Sequence, residues 1–328
     1  MTALSRRAAG VGLLAAAGLA LTGCGVPDRV VGLHEAPVEN TDGAPFAEET
    51  AVNITTRVLD QAAAAMNSAD NDVEAKEAVL TGPALRLASV QNRFDTGEEN
   101  SLAAPGTPQI LAISQGREWP RSILATTLSG SEQRLHVIVA DSPTADYKLW
   151  ISLPMIPGAS VPALPDLSAG TTFGTENDSL IATPRSVLSA YGQILDFPQE
   201  KKSSKVVTAD DQFADAIQAS SAAQDDALGD LGTFKRRHAV IRSDTLLIGL
   251  ADGSALSFGQ LTRTDTLAPT SKAKQLTLPS DLARLSGTKA VTESMELDWV
   301  VTLAMVIPVE EPASMIGAAE QLRGIEAE

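Results

Sequence analysis

The sequence predicts an α+β protein made of two helix-plus-curved-antiparallel-sheet modules, and three observations carry that expectation. Apolar residues recur first at three- and four-residue spacing and then at every second position, and this order of helices before strands occurs twice. Residues 162–183, rich in Pro, Gly, Ser and Thr, lie between the two occurrences. The chain has 328 residues and is 44% hydrophobic, enough length and apolar content to bury a core in each half. The expected plan is a leader at 1–23, a flexible tether at 24–45, an α+β domain at 46–161, a linker at 162–183 and a second α+β domain at 184–328.

The leader reads as a secretory signal. Arg6 and Arg7 precede the apolar run from Val11 to Leu21, which is shorter than the roughly 20 residues a bilayer-spanning helix needs. Directly after it stands Leu21-Thr22-Gly23-Cys24. These residues resemble the lipobox of bacterial lipoproteins. The resemblance implies that the Cys24 thiol receives a diacylglycerol group and that cleavage leaves Cys24 as the new N-terminus. Leu21, Thr22 and Gly23 would then be the recognised residues, small enough at the cleavage point for a peptidase to grip an extended backbone beside a lipid-bearing side chain. Cys24 is the only cysteine, so no internal disulfide can form, and lipidation would remove it from redox and nucleophilic chemistry. Two acyl chains anchor a protein stably where one is marginal. The implied address is the extracytoplasmic face of the cell membrane, with palmitate-type acyl groups as the membrane partner. Ser5-Arg6-Arg7 also resembles a twin-arginine signal, whereas Ala9 and Gly10 stand where that motif carries bulky apolar residues, so Sec and twin-arginine export both stay open. Residues 25–45, with three Pro and three Gly, read as a tether reaching about 25 Å, and His34 within it as a solvated residue.

The elements follow in order. From Glu48 to Met66, Val52, Val58, Leu59, Ala62, Ala63 and Met66 recur at helical spacing. A second helical stretch from Asp72 to about Asn92 is split by Gly82-Pro83. After a polar loop from Asp95 to Pro108 the period becomes two, with strands at Ile123–Leu128, Arg134–Ala140 and Tyr147–Leu153 and a hairpin turn at Ser129-Gly130-Ser131. In the second half, helices are expected at Arg185–Phe197 and Thr208–Leu228, the latter opened by Thr208 and Asp211 as a capping pair. Strands follow at Ala239–Arg242, Thr245–Ala251 and Ala255–Thr262, the last two joined through Asp252-Gly253, and a final strand runs from Met295 to Ile307. The segments around Trp150 and Trp299 each run into Met, Ile and Pro, the pattern a duplication would leave.

This order of elements is similar to that of the nuclear-transport-factor-like and cystatin-like domains, a likeness of pattern that implies cone-shaped helix-on-sheet modules. The lipobox, with Leu285-Ser286-Gly287-Thr288, Trp299 and the closing Val306–Gly324 segment, resembles actinobacterial-type lipoproteins with Ala-rich secreted bodies. That resemblance implies a cell-envelope address and no particular reaction.

Charge and motifs narrow the function. Lys and Arg number 25 against 41 Asp and Glu, a formal charge of −16, which argues against nucleic acid as a partner. His136 alternates with Leu135 and Val137 and reads as a half-exposed strand residue, with no nucleophile placed beside it. His238 follows Arg236-Arg237 and reads as a solvated strand end. Ser271-Lys272-Ala273-Lys274 matches S-x-x-K in spacing only, since it follows Pro269-Thr270 rather than opening a helix. Asp210, Asp211, Asp215, Asp225, Asp226 and Asp230 lack calcium-loop spacing and read as acids of a solvated helix. Trp150 and Trp299 sit in apolar strands and read as core, leaving Trp119 as the exposed aromatic. No catalytic constellation, cofactor motif or metal site is expected.

Two functional readings follow. The leading one is a non-enzymatic, membrane-anchored lipoprotein whose modules bind an envelope protein or wall polymer. The alternative is a small-molecule carrier or enzyme using the apolar cavity of a cone-shaped α+β domain. A closed core with an exposed apolar patch would favour the first, and a deep apolar pocket with a convergent Asp or His the second.

Overall fold

Acidic residues open the first helix and a Gly-Pro pair opens the third, as local chemistry dictates. The computed structural model describes residues 42–66, 72–91 and 106–328. The leader, Cys24 and its lipobox Leu21, Thr22 and Gly23, and nearly all of the tether lie outside the described residues. Helix α1 (Glu48–Met66) starts with Glu48 and Glu49 at its positive end and buries Ala51, Thr55, Val58, Leu59, Ala62 and Ala65 as one stripe. Helix α2 (Val73–Val79) is capped by Asp72, whose side chain accepts from the Ala75 amide at 3.1 Å. Helix α3 (Gly82–Gln91) begins at Gly82, whose φ of +52° needs a glycine.

Four strands follow: β1 (Gln109–Ile113), β2 (Arg121–Ser129), β3 (Glu132–Ala140) and β4 (Lys148–Pro154), all antiparallel in the order β1-β2-β3-β4. Their alternation faces Ile110, Ile123, Ile138 and Leu149 toward α1, α2 and α3, where they meet Val58, Leu59 and Leu80. The second half holds β5 (Phe173–Gly174), α4 (Pro184–Leu195), α5 (Gln212–Leu228), β6 (Gly232–Val240), β7 (Leu246–Gly249) and β8 (Ala255–Pro269). It continues with β9 (Leu276–Thr277), α6 (Ser280–Ser286), β10 (Ala290–Val291), β11 (Met295–Ile307) and β12 (Ser314–Ala327). The large sheet runs β12-β11-β8-β7-β5, and the 15-residue β8 is long enough to pair with β7 at one end and β6 at the other. Helices α4 and α5 cover one face through Val187, Leu188, Tyr191 and Ile217 against Leu261, Val301 and Leu303.

The fold is therefore α+β, with two helix-plus-antiparallel-sheet modules. The free faces of the two sheets bury each other. Leu124, Leu135, Val137 and Ile151 of the first sheet join Ile248, Leu256, Phe258 and Ile316 of the second in one cluster. Trp150 meets Phe258 edge-on at 6.5 Å between ring centroids. The layers run helices, sheet, sheet, helices, and all described residues fall in one compact unit. Residues 162–183, read from sequence as an inter-domain linker, are woven into both sheets. Thr171 bridges Ser114 beyond β1, and β5 pairs with β7. At the opposite side Met155 bridges Gly317, with the Ile156 amide on the Ile316 carbonyl at 2.9 Å.

Several local expectations change. The helix expected from Thr208 starts at Gln212, because Asp211 is the residue whose side chain accepts from the Ala214 amide. The strand expected at 239–242 is the end of β6, which begins at Gly232. Strand β12 was not foreseen at all. The strands bearing Trp150 and Trp299 hold different places, since β4 ends the first sheet's order whereas β11 lies between β8 and β12.

Candidate functional site

Register places charge inside the second module. β8 and β11 are antiparallel neighbours with Arg263 opposite Trp299 and Asp265 opposite Leu297. The period of two turns Arg263 and Asp265 to the same face as Leu261, under the helices. Gln224, Ala227 and Leu228 of α5 hang over this face, and the β9–α6–β10 segment closes the side with Leu278, Leu282 and Val291. Between them lies a cavity of about 450 Å³, within the usual size of a small-molecule site. Its wall is mainly leucine and the Trp299 ring.

The polar floor is a closed network. Arg236 is fully buried and grips Asp265 in a two-point contact, Nε to Oδ1 at 2.7 Å and Nη2 to Oδ2 at 2.9 Å. Its remaining nitrogen donates to the Ile217 carbonyl at 3.0 Å and to Ser221 Oγ at 2.7 Å. Arg263 donates from Nε to Asp265 at 3.0 Å and from Nη1 to Glu320 at 2.6 Å, and lies 4.8 Å from the Trp299 ring centroid. Burial alone would raise the Asp265 pKa, but the hydrogen bonds and charges of the two guanidiniums outweigh it and hold the carboxyl below its ordinary range. Burial likewise opposes charge on Arg263, and Asp265 and Glu320 overcome it, so its pKa is raised.

Two cations face two carboxylates here, so the network asks for no ionic ligand. Asp265 is locked in its ionised form between two donors and is poorly suited to take up a proton as a general base. The side chains of Gln224 and Thr277, by contrast, line the cavity with no hydrogen bond to another described residue. The Trp299 indole N–H is buried and also lacks an acceptor among the described residues.

The residues singled out in the sequence are scattered. His136 is 1% exposed, not half-exposed, because helices cover the face of the first sheet that it occupies. Its Nε2 lies 2.8 Å from Thr127 Oγ1. The His238 side chain is also buried rather than solvated, with Nδ1 3.0 Å from Asp196 Oδ1, because β6 starts earlier than expected and turns this position under α4. Ser271 and Lys272 lie in the turn after β8, where Lys272 pairs with Asp230 at 2.6 Å. Among the described residues no group of His, Cys, Asp or Glu is arranged to hold a metal, and no helix is long and apolar enough to cross a membrane. Trp119 is partly buried, with the Arg121 guanidinium 4.5 Å from its ring centroid. Trp299, read as core, lines the cavity instead.

Sequence reasoning missed Arg236, Arg263 and Asp265. One signal was present: charged residues two apart, Arg263 and Asp265, share one face of an otherwise uncharged strand. Comparison of the chain with family models, curated proteins and solved structures found no match.

Proposed function

We propose that the chain is an envelope lipoprotein held at the extracytoplasmic face of the cell membrane by a diacylglycerol on Cys24, and that its second module binds a small neutral amphiphile beneath α5. The observation that carries the reading is the 450 Å³ cavity, with walls of leucine and the Trp299 indole over an internally neutralised charge network. Burying an acyl or isoprenoid body against such walls stabilises a complex by roughly 25 cal/mol per Å² of apolar surface. Gln224 and Thr277 supply hydrogen bonds for a hydroxyl, amide or ester head. The most exposed large apolar residues among those described, Val73, Leu128, Leu231 and Val309, sit on four separate segments. That dispersal supports a ligand cavity over a broad apolar docking face. With Asp265 committed to two arginines, binding or carriage is favoured over catalysis.

The test uses Nile red, a neutral solvatochromic dye, titrated into the mature chain and into Leu282→Trp, which fills the cavity. The wild type is expected to shift the dye's emission to the blue, and the filled variant to bind at least tenfold more weakly while keeping its circular dichroism. No shift with the wild type, or equal binding by both, overturns the cavity reading. The anchor is read separately from the mass of the N-terminal peptide, and an unacylated Cys24 overturns that half alone.

A further inference from the structure

A basic groove stands out on this acidic molecule, away from the cavity. It runs as an open trough of about 800 Å³ between the exposed side of α4 and the segment 201–206, and has no carboxylate in its lining. Arg185, Lys201 and Lys205 line it, all exposed, and none of them makes an ion pair with a described carboxylate. Lys201 donates to Gln193 at 3.0 Å. The acid nearest in sequence, Glu200, is drawn the other way by Arg237 at 3.1 Å. Hydroxyls of Ser186, Ser189 and Ser203 lie among the cations.

The segment is held at both ends. Phe197 exchanges two backbone hydrogen bonds with Arg236 of β6, at 2.8 and 3.0 Å. Beyond it, Val206 and Thr208 both bond to the backbone of Ala313. The lysines are therefore displayed on a fixed wall opposite a helix, a concave arrangement of point charges and small donors. Its chemistry matches a phosphoryl headgroup bearing hydroxyls, with cations for the phosphate oxygens and serines for the polyol.

We propose that this groove docks onto anionic glycerophospholipid headgroups of the bilayer, a step that rests on the membrane address inferred for Cys24. Charge complementarity selects the orientation. A chain of formal charge −16 is repelled by an anionic surface, and a groove whose lining holds no carboxylate is the part that can approach within a Debye length of about 8 Å. Docking would fix the orientation of the body above the lipids.

The experiment uses residues 24–328 made with Cys24→Ala, so that acyl insertion does not mask weaker binding. Vesicles of phosphatidylcholine alone and vesicles with 40% phosphatidylglycerol are the probes, at about 0.1 M salt, with binding read by co-sedimentation. Binding is expected only to the anionic vesicles. It should weaken about fivefold for each of Arg185→Gln, Lys201→Gln and Lys205→Gln, remain unchanged in Lys289→Gln, and disappear at 0.5 M salt. Equal binding to both vesicles, or no loss in the triple variant, overturns the proposal. Displacement by a few millimolar inorganic phosphate overturns the lipid source and assigns the groove to a free phosphorylated solute. Because Cys24 acylation is read by mass on the wild-type protein, failure of the groove and failure of the anchor are separate results.

Discussion

His136 shows what complete burial does to a titratable side chain. Its Nδ1 has no partner among the described residues, and its pKa is pushed down to about 3, first by burial and then by the charge of Arg134. In the unfolded chain the same ring titrates near 6.5. Falling pH therefore protonates the unfolded state first. The contribution to stability is complete above about pH 6.5 and is lost progressively toward pH 3, by about 2 kcal/mol at pH 5. Urea denaturation at pH 7 and pH 5 is expected to show this loss in the wild type, and His136→Gln to lack that part of it. An equal pH dependence in the two proteins would refute the assignment. The sequence shows which strand His136 occupies, yet exposure depends on whether helices cover that face, and only packing decides this. The same holds for Trp299: its strand was legible, whereas its cavity is made by Gln224, Leu282 and Val291 from distant parts of the chain.

Among the elements, those with clean periodicity were legible and those carrying function or edges were not. α1, the α2–α3 break, β2, β3 and the Asp252-Gly253 hairpin all follow from spacing and turn chemistry. β6 was cut short because Arg236 and His238 occupy inward positions where an apolar residue was expected. β12 was missed because Ala318, Ala319, Glu320 and Gln321 are helix formers, and pairing along the whole of β11 overrides that preference. Between α2 and α3, Gly82 combines a φ of +52° with close approach to Trp150, where an added Cβ would stand 2.6 Å from Nε1. Gly82→Ala is expected to cost about 2–3 kcal/mol and to shift the Trp150 emission, measured by urea melts followed by fluorescence. An unchanged midpoint would show that the α2–α3 turn relaxes freely.

At the scale of the molecule, the face-to-face packing of the sheets makes the halves interdependent. Both sheets carry apolar residues on both faces, and each finds one of its covers in the other. Residues 46–161 made alone are expected to be insoluble or molten, and to gain a cooperative melt only when co-expressed with 162–328. A sharp, independent transition for 46–161 would show the modules to be autonomous. The strand borders carry a different consequence. β4, the last strand of its sheet, is met at Leu149 by Thr81 and beyond Met155 by Ile316, and the end of β1 is met by Thr171. These contacts occupy backbone groups at the strand ends that another copy could otherwise extend. Where many molecules stand crowded side by side, these met strand ends shorten the stretch of β1 and β4 on which a neighbour could build a fibre.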